Sequence, residues 1–291
     1  MKIAYSDIDF HFTLDGVPIQ STNIVFEELV AAIPAHSHGC GCYEIHYISN
    51  GQGDLLANGQ HYDIIPNTLY VTGPHVEHAQ FPFSSSPMQE YCVYLQVKKP
   101  KGKALSPLLD AFCSTSFWLG QDTQDVFTLM KQLFSELSHH PIGYQDQIKL
   151  LLSQLVIYMA RNYQQAAGAP FQAARQHTPD AKPITHKSII IEKYFLFEYQ
   201  NLSLKELAKR LSLSPRQTQR LLMTCYNKTF QEKKTEARMS AAAILLGDKN
   251  RSISSVADAL GYATLEQLST AFRKYYGKSP RDYRKSMPET Q

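Results

Sequence analysis

Between residues 36 and 78 the sequence gathers side chains that bind ions or polar small molecules. His36 and His38 stand two apart, Glu44 follows six residues later, and His78 comes after Gly73-Pro74. If the first two lie on a strand, alternation puts both imidazoles on one face. Three imidazoles and a carboxylate suit Zn, Fe, Mn or Ni. The same residues equally suit the polar lining of a pocket for an organic molecule, and spacing alone leaves both chemistries open. Cys40 and Cys42 add soft ligands nearby, although Cys-x-Cys is also an ordinary loop sequence. Tyr43, His46, Tyr47, Tyr62, Tyr70 and Tyr94 could stack on a ring and hydrogen-bond its edges. No catalytic triad, phosphate loop or dinucleotide fingerprint occurs.

The elements that must position these groups read as strands over residues 1–100. Short apolar runs are broken by Asn50-Gly51, Asn58-Gly59, Pro66-Asn67 and Gly73-Pro74. Such spacing predicts a β-sandwich or barrel. Over 122–163 the period changes. Val126, Leu129, Met130, Leu133, Phe134 and Leu137 form one helical stripe, and Ile148, Leu151, Leu152, Leu155, Val156 and Met159 form another. Residues 164–183, rich in Ala, Gln and Pro, read as a linker, and the pattern from Ile184 to Arg284 is helical.

The helical region repeats itself. Leu204, Leu207, Ala208 and Leu211 recur as Ile253, Val256, Ala257 and Leu260, each set opened by a capping Ser203 or Ser252. A second helix follows each, starting near Ser214-Pro215 and near Thr264. Two short helices joined by a tight turn, built twice, suit insertion into the DNA major groove. They also suit a plain helical bundle. Charge tips the balance toward a polyanion: up to Pro183 there are 10 basic against 16 acidic residues, and from Ile184 there are 19 against 10.

The whole chain of 291 residues is long enough for two domains, and 43% hydrophobic with 19% charged residues is a globular composition. No apolar run of membrane-spanning length and no secretory leader is found, and five cysteines without paired spacing point to a reduced, cytoplasmic setting.

Residues 184–285 resemble the DNA-binding domain of the AraC/XylS family of transcription regulators. The resemblance rests on Ile253-(x)2-Val256-Ala257-(x)2-Leu260-Gly261-Tyr262 and on Phe272-Arg273-Lys274-Tyr275-Tyr276-Gly277-Lys278-Ser279-Pro280-(x)2-Tyr283-Arg284. It implies seven helices, with a long one near 230–246 separating two helix-turn-helix units that meet successive major-groove segments. By position, Arg216, Gln219 and Arg220 face bases from the first unit, and Leu265, Glu266, Ser269 and Thr270 from the second. Thr270 stands where a base-reading Arg is frequent in the family. Arg273, Lys274 and Lys278 meet phosphates.

Residues 30–97 resemble a cupin barrel through His36-x-His38-(x)5-Glu44-(x)6-Gly51 and Pro66…His78, with Asn67 where a Gly is usual. The expected protein is an α+β two-domain regulator. Residues 1–163 form a cupin-like β-barrel with a helical dimerisation pair, 164–183 the linker, and 184–287 an all-α double helix-turn-helix. The expected effector residues are His36, His38, Glu44, His46, Tyr47 and His78. The resemblance implies double-stranded DNA, a small-molecule effector such as a sugar, RNA polymerase and a second copy of the chain as partners, activation as the output, and no cofactor. The alternatives are a metal-dependent cupin enzyme carrying a DNA-binding tail, with His36, His38, Glu44 and His78 as ligands, and an interaction protein with an acidic partner.

Overall fold

A hairpin begins the chain. Strands β1 (Lys2–Leu14) and β2 (Val17–Leu29) meet across Asp15-Gly16, both at positive φ, the conformation of a two-residue hairpin turn that follows strand twist. The computed structural model describes residues 2–99, 104–165, 174–175 and 187–286. These divide into two units: Met1–Ala31 with Ser37–His186, and Ala32–His36 with Lys187–Gln291. Strand β3 (Ile33–His36) falls in the second.

The first unit is a β-rich body with helices on one face. Its strands are β4 (Cys42–Asn50), β5 (Gly53–Ala57), β6 (Gln60–Ile64), β7 (Thr68–Thr72), β8 (His78–Pro82), β9 (Met88–Val97) and β10 (Thr115–Gln121). One antiparallel sheet runs β1-β2-β9-β4-β7-β10, extended at its end by the short β11 (Ala174–Arg175). The other runs β8-β5-β6, with Asn58-Gly59 making the β5–β6 turn, again at positive φ.

Alternation divides the work of the large sheet. Tyr43, Ile45 and Tyr47 of β4, Leu69 and Val71 of β7, and Val93, Leu95 and Val97 of β9 all join one apolar core. Helices α1 (Pro107–Ser114), α2 (Val126–His139) and α3 (Tyr144–Gln165) cover that face with both predicted stripes, including Leu129, Leu133, Leu152 and Val156. The buried Asn162 of α3 accepts from both the amide and the hydroxyl of Thr123. Asp122 accepts from the amides of Gln124 and Val126, so it caps the start of α2. The other face of β4, β7 and β9 points into the space between the sheets.

Of the predicted linker, only the end of α3 and Ala174–Arg175 fall among the described residues.

Among its described residues the second unit holds seven helices: α4 (Lys187–Phe197), α5 (Leu204–Arg210), α6 (Pro215–Tyr226), α7 (Phe230–Gly247), α8 (Ile253–Ala259), α9 (Leu265–Tyr276) and α10 (Pro280–Ser286). The repeat becomes two helix-turn-helix units, α5–α6 and α8–α9. The turn in each needs one residue at positive φ, which is Ser212 in the first and Gly261 in the second. The second helices, α6 and α9, are both 12 residues long, capped by Ser214 and Thr264 and closed by Asn227 and Gly277 at positive φ. The core around α8–α9 carries Leu246, Val256, Ala257, Leu260, Leu268 and Phe272. Among the described residues, no helix is long and apolar enough to cross a membrane.

Candidate functional site

The interior of the first unit is lined by side chains that sequence order keeps far apart. Glu44 and His46 come from β4, Tyr70 from β7, His78 and Gln80 from β8, and Glu90 and Cys92 from β9; His38 enters from the loop before β4. All are buried. Strand register explains the convergence, because β4 pairs His46 with Tyr70 on one side and with Cys92 on the other.

Glu44 is the centre of the cluster. Its Oε2 meets His38 Nε2 in a short contact and lies 3.4 Å from His46 Nε2 and 3.3 Å from His78 Nε2. Cys92 Sγ donates to its Oε1 at 3.2 Å. Glu90 is a second centre. Its Oε1 accepts from His46 Nδ1 at 2.7 Å, Gln80 Nε2 at 2.7 Å and the Tyr70 hydroxyl at 3.1 Å. The Tyr70 ring stacks on His46, centroids 4.2 Å apart. His78 Nδ1 donates to the Val76 carbonyl at 3.1 Å, which leaves its Nε2 turned toward Glu44.

Charge in this interior is sorted by these neighbours. Burial alone would raise the Glu44 carboxyl, but His38 and His46 outweigh it and hold the group well below the usual carboxylate range. Burial alone would favour neutral His46, yet Glu44 and Glu90 on its two sides push it up to about 9. His78 goes the other way, because burial outweighs its contact with Glu44 and lowers the imidazole below its ordinary value. Burial raises the Tyr70 hydroxyl and the Cys92 thiol well above their ordinary values, so both stay protonated.

The donor set fits a transition ion by type and spacing. Ligand atoms of His38, Glu44 and His78 lie within 4.8 Å of one another, as do those of Glu44, His46 and Cys92. A bound ion would supply a Lewis acid shared through Glu44. The same groups also close on themselves as ion pairs and hydrogen bonds, and then present hydroxyl, imidazole and carboxylate edges to a polar molecule.

Of the six expected effector residues, four belong to the first unit and meet within it: His38, Glu44, His46 and His78. Tyr47 is corrected to the opposite face of β4. It stacks on Phe127 of α2, its hydroxyl donates to Asn67, and the parity of the strand that aims His46 inward turns Tyr47 outward. Tyr43 follows Tyr47, packing on Phe112 and donating to the Cys113 carbonyl. His36 ends β3 in the segment grouped with the second unit, with its Nδ1 donating to the Pro34 carbonyl at 2.8 Å. Tyr94 meets His38 edge-on, whereas Tyr62 packs on Phe117. Cys40 Sγ lies 3.2 Å from His75 Nε2, and Cys42 is buried. Sequence reading missed Gln80, Glu90 and Cys92. The signal was present in the alternation of β9, where Glu90, Cys92 and Tyr94 share one face inside an apolar run.

The second unit offers a different surface. On α6, Arg216 and Arg220 are exposed one turn apart and Gln219 beside them is half-buried. On α9, Leu265, Glu266, Thr270, Arg273 and Lys274 are exposed and Ser269 is half-buried; Lys278 is exposed just beyond. Leu265 stands 38% exposed at the first position of α9, a large apolar side chain at a helix end that faces no core. Glu266 is engaged locally. Its carboxyl is lowered by its own backbone amide and by the Thr264 hydroxyl, so it completes the helix cap. Several basic residues of this unit serve the fold instead. Arg210 pairs with Glu198 and Glu206 and lies over the Tyr194 ring, and Arg284 donates to the Leu246 carbonyl.

Comparison with known proteins identifies both parts. Residues 31–156 match the AraC-like ligand binding domain, and residues 207–286 match a helix-turn-helix domain family. The chain is 25% identical over 280 residues to the HTH-type transcriptional activator RhaS of Escherichia fergusonii, covering 94% of this chain and 95% of that one. It is 21% identical over 247 residues to the Msm operon regulatory protein of Streptococcus mutans, covering 84% of each. Over 85 residues, 29% of this chain and 79% of the relative, it is 32% identical to the regulatory protein SoxS of Salmonella typhimurium. A β-rich ligand-binding body with a buried polar interior and a doubled helix-turn-helix unit together place the chain in the AraC family of transcription regulators.

Proposed function

We propose that this regulator reads two DNA elements with α6 and α9, and that a small polar molecule held between the sheets of the first unit controls it. The observation that carries the DNA half is the structural repeat: two second helices of equal length, each N-capped by a hydroxyl that accepts from the amide three residues on, each exposing its first turns. Arg216 and Arg220 read guanines and Gln219 assists. In α9, Leu265, Ser269 and Thr270 make the closer contacts, with Glu266 held in its cap, so the second unit positions more than it reads. Arg273, Lys274 and Lys278 meet phosphates.

The buried Glu44, His46, Glu90, Tyr70 and His38 support a polyhydroxylated effector such as a sugar, whose hydroxyls both donate to carboxylates and accept from imidazoles. The molecule acts by binding two arrangements of the protein with different affinity. The chain works in the cytoplasm as an activator that touches RNA polymerase, pairs through the α2–α3 face, and is not an enzyme. Exposed Ile142, in the turn between the two helices, and exposed Leu150 of α3 support the pairing.

Selection of preferred sites from a random DNA pool at physiological salt tests this reading. Wild-type protein should enrich a site with two elements about one helical turn apart. The Arg216→Ala/Arg220→Ala variant should lose preference in one element and keep it in the other. Equal binding to all DNA, with the effector present, would remove the reading.

A further inference from the structure

The two helix-turn-helix units have largely separate apolar cores, yet a polar clasp joins them away from the groove-facing helices. The clasp starts in the turn after α4. Gln200 Nε2 donates at 2.6 Å to the carbonyl of Ala259, the last residue of α8. Arg238, from the middle of α7, donates through Nε to the Tyr199 carbonyl at 3.1 Å and through a terminal nitrogen to the Gln200 carbonyl at 2.8 Å. Its guanidinium lies over the ring of Tyr262, 5.2 Å from the centroid, in the turn between α8 and α9. Gly261 makes room for the approach. It sits at φ +72, and a Cβ there would fall 2.9 Å from the Gln200 carbonyl oxygen. The Tyr199 ring, from the turn that leads into the first helix-turn-helix unit, packs against the core of the second.

We propose that Arg238 and Gln200 are positioning residues that fix the spacing at which the two units read DNA. The physical reason is that α7 is the covalent link between the units, and it meets them at its two ends. The start of α7 packs on α4, where Phe195 meets Phe230, while its end shares one apolar cluster with Val256, Leu260 and Phe272. Small twists at either end would swing one recognition helix relative to the other. The clasp opposes that swing because it bonds turn to turn directly, and because Arg238 holds both turns with one planar group carrying several fixed donors. One inserted base pair moves a DNA element by about 3.4 Å and turns it by about 35°. A rigid pair of units resists such a change and a hinged pair accommodates it.

This inference rests on the two-element reading above, and its test is arranged so that the two fail separately. The probe is the duplex that wild-type protein enriches from the random pool, remade with one base pair inserted or removed between its elements. Wild type should lose about tenfold or more in affinity on either altered duplex. Gln200→Ala/Arg238→Gln should lose about threefold or less on the same change, while its affinity for a duplex holding either element alone stays at the wild-type value. Arg238→Lys, which can keep one carbonyl bond, should recover part of the spacing penalty. If the double variant melts early, the exposed Gln200→Ala alone carries the comparison. A variant with wild-type helicity that retains the tenfold penalty overturns the proposal, and so does an equal loss at every spacing. If wild type enriches no two-element site, the two-element reading falls first, before any variant is made.

Discussion

Replacing Glu90 by leucine should destabilise the first unit far more than replacing it by glutamine. One oxygen of Glu90 accepts three bonds from buried donors: His46 Nδ1, Gln80 Nε2 and the Tyr70 hydroxyl. Leucine fills the space and removes the acceptor. Each buried donor left without a partner costs about 1–3 kcal/mol. The three are not independent, because Gln80 also bonds the Tyr70 hydroxyl at 2.5 Å and that contact survives. A loss of about 4 kcal/mol is therefore expected, a large share of the ~5–15 kcal/mol that holds an ordinary domain. Glutamine keeps an acceptor oxygen and loses only the charge facing His46, which should cost about 1–2 kcal/mol. The sequence supplies a clean probe. Trp118 is the one tryptophan, and it is 2% exposed in the core between sheet and helices. Urea unfolding followed by its fluorescence reports the first unit without a tryptophan signal from the helix-turn-helix unit. The reasoning fails if the leucine variant stays within about 1 kcal/mol of wild type, or if glutamine costs as much as leucine.

In chelator-treated protein, the Trp118-reported stability should fall as pH rises from 6.5 through about 9, because folding raises the His46 pKa to about 9 and its contribution is complete only below the ordinary value. That contribution amounts to roughly 3 kcal/mol at most; a flat profile over this window would show that Glu44 and Glu90 do not hold His46 charged. On DNA, Arg273→Ala and Lys274→Ala should each reduce the slope of log affinity against log salt by about 0.9, with equal weakening across sequences, as read by fluorescence anisotropy. A change in preferred bases with an unchanged slope would move either residue from phosphate to base contact. In the second unit, Glu236 pairs with Lys228 at 2.7 Å and lies 3.5 Å from the buried Lys233. Glu236→Ala should cost about 3–5 kcal/mol by leaving Lys233 uncompensated, and Lys233→Met/Glu236→Leu should recover most of it in calorimetry. A double variant as unstable as the single one would count against that pairing.

Much of the second unit is legible from sequence because its determinants are local. Ser214-Pro215 and Thr264 start helices through bonds to residues three positions on. Asn227 and Gly277 end them within the same turn, and the apolar spacing of each copy names its own core. Asn58-Gly59 announces its hairpin for the same reason.

The interior of the first unit is different. His38, Glu44, His46 and His78 were visible as chemistry, but Gln80, Glu90 and Cys92 reach them only through pairing between strands more than twenty residues apart. β4 is buried on both faces, so the alternation of Glu44 and His46 with Tyr43, Ile45 and Tyr47 does not mark a solvent side, and the nearness of Tyr47 to His46 in sequence hides that the strand turns the two apart. The clasp is further still from sequence logic. Gln200 and Ala259 are 59 residues apart, and their bond is a backbone carbonyl meeting an exposed side chain that any loop could carry. Sequence determined the local elements, their caps and the chemistry available, because those depend on neighbours within a few residues. Which of those groups share one interior, and which turns lock together, was decided by strand register and helix packing, which bring distant residues within hydrogen-bond reach.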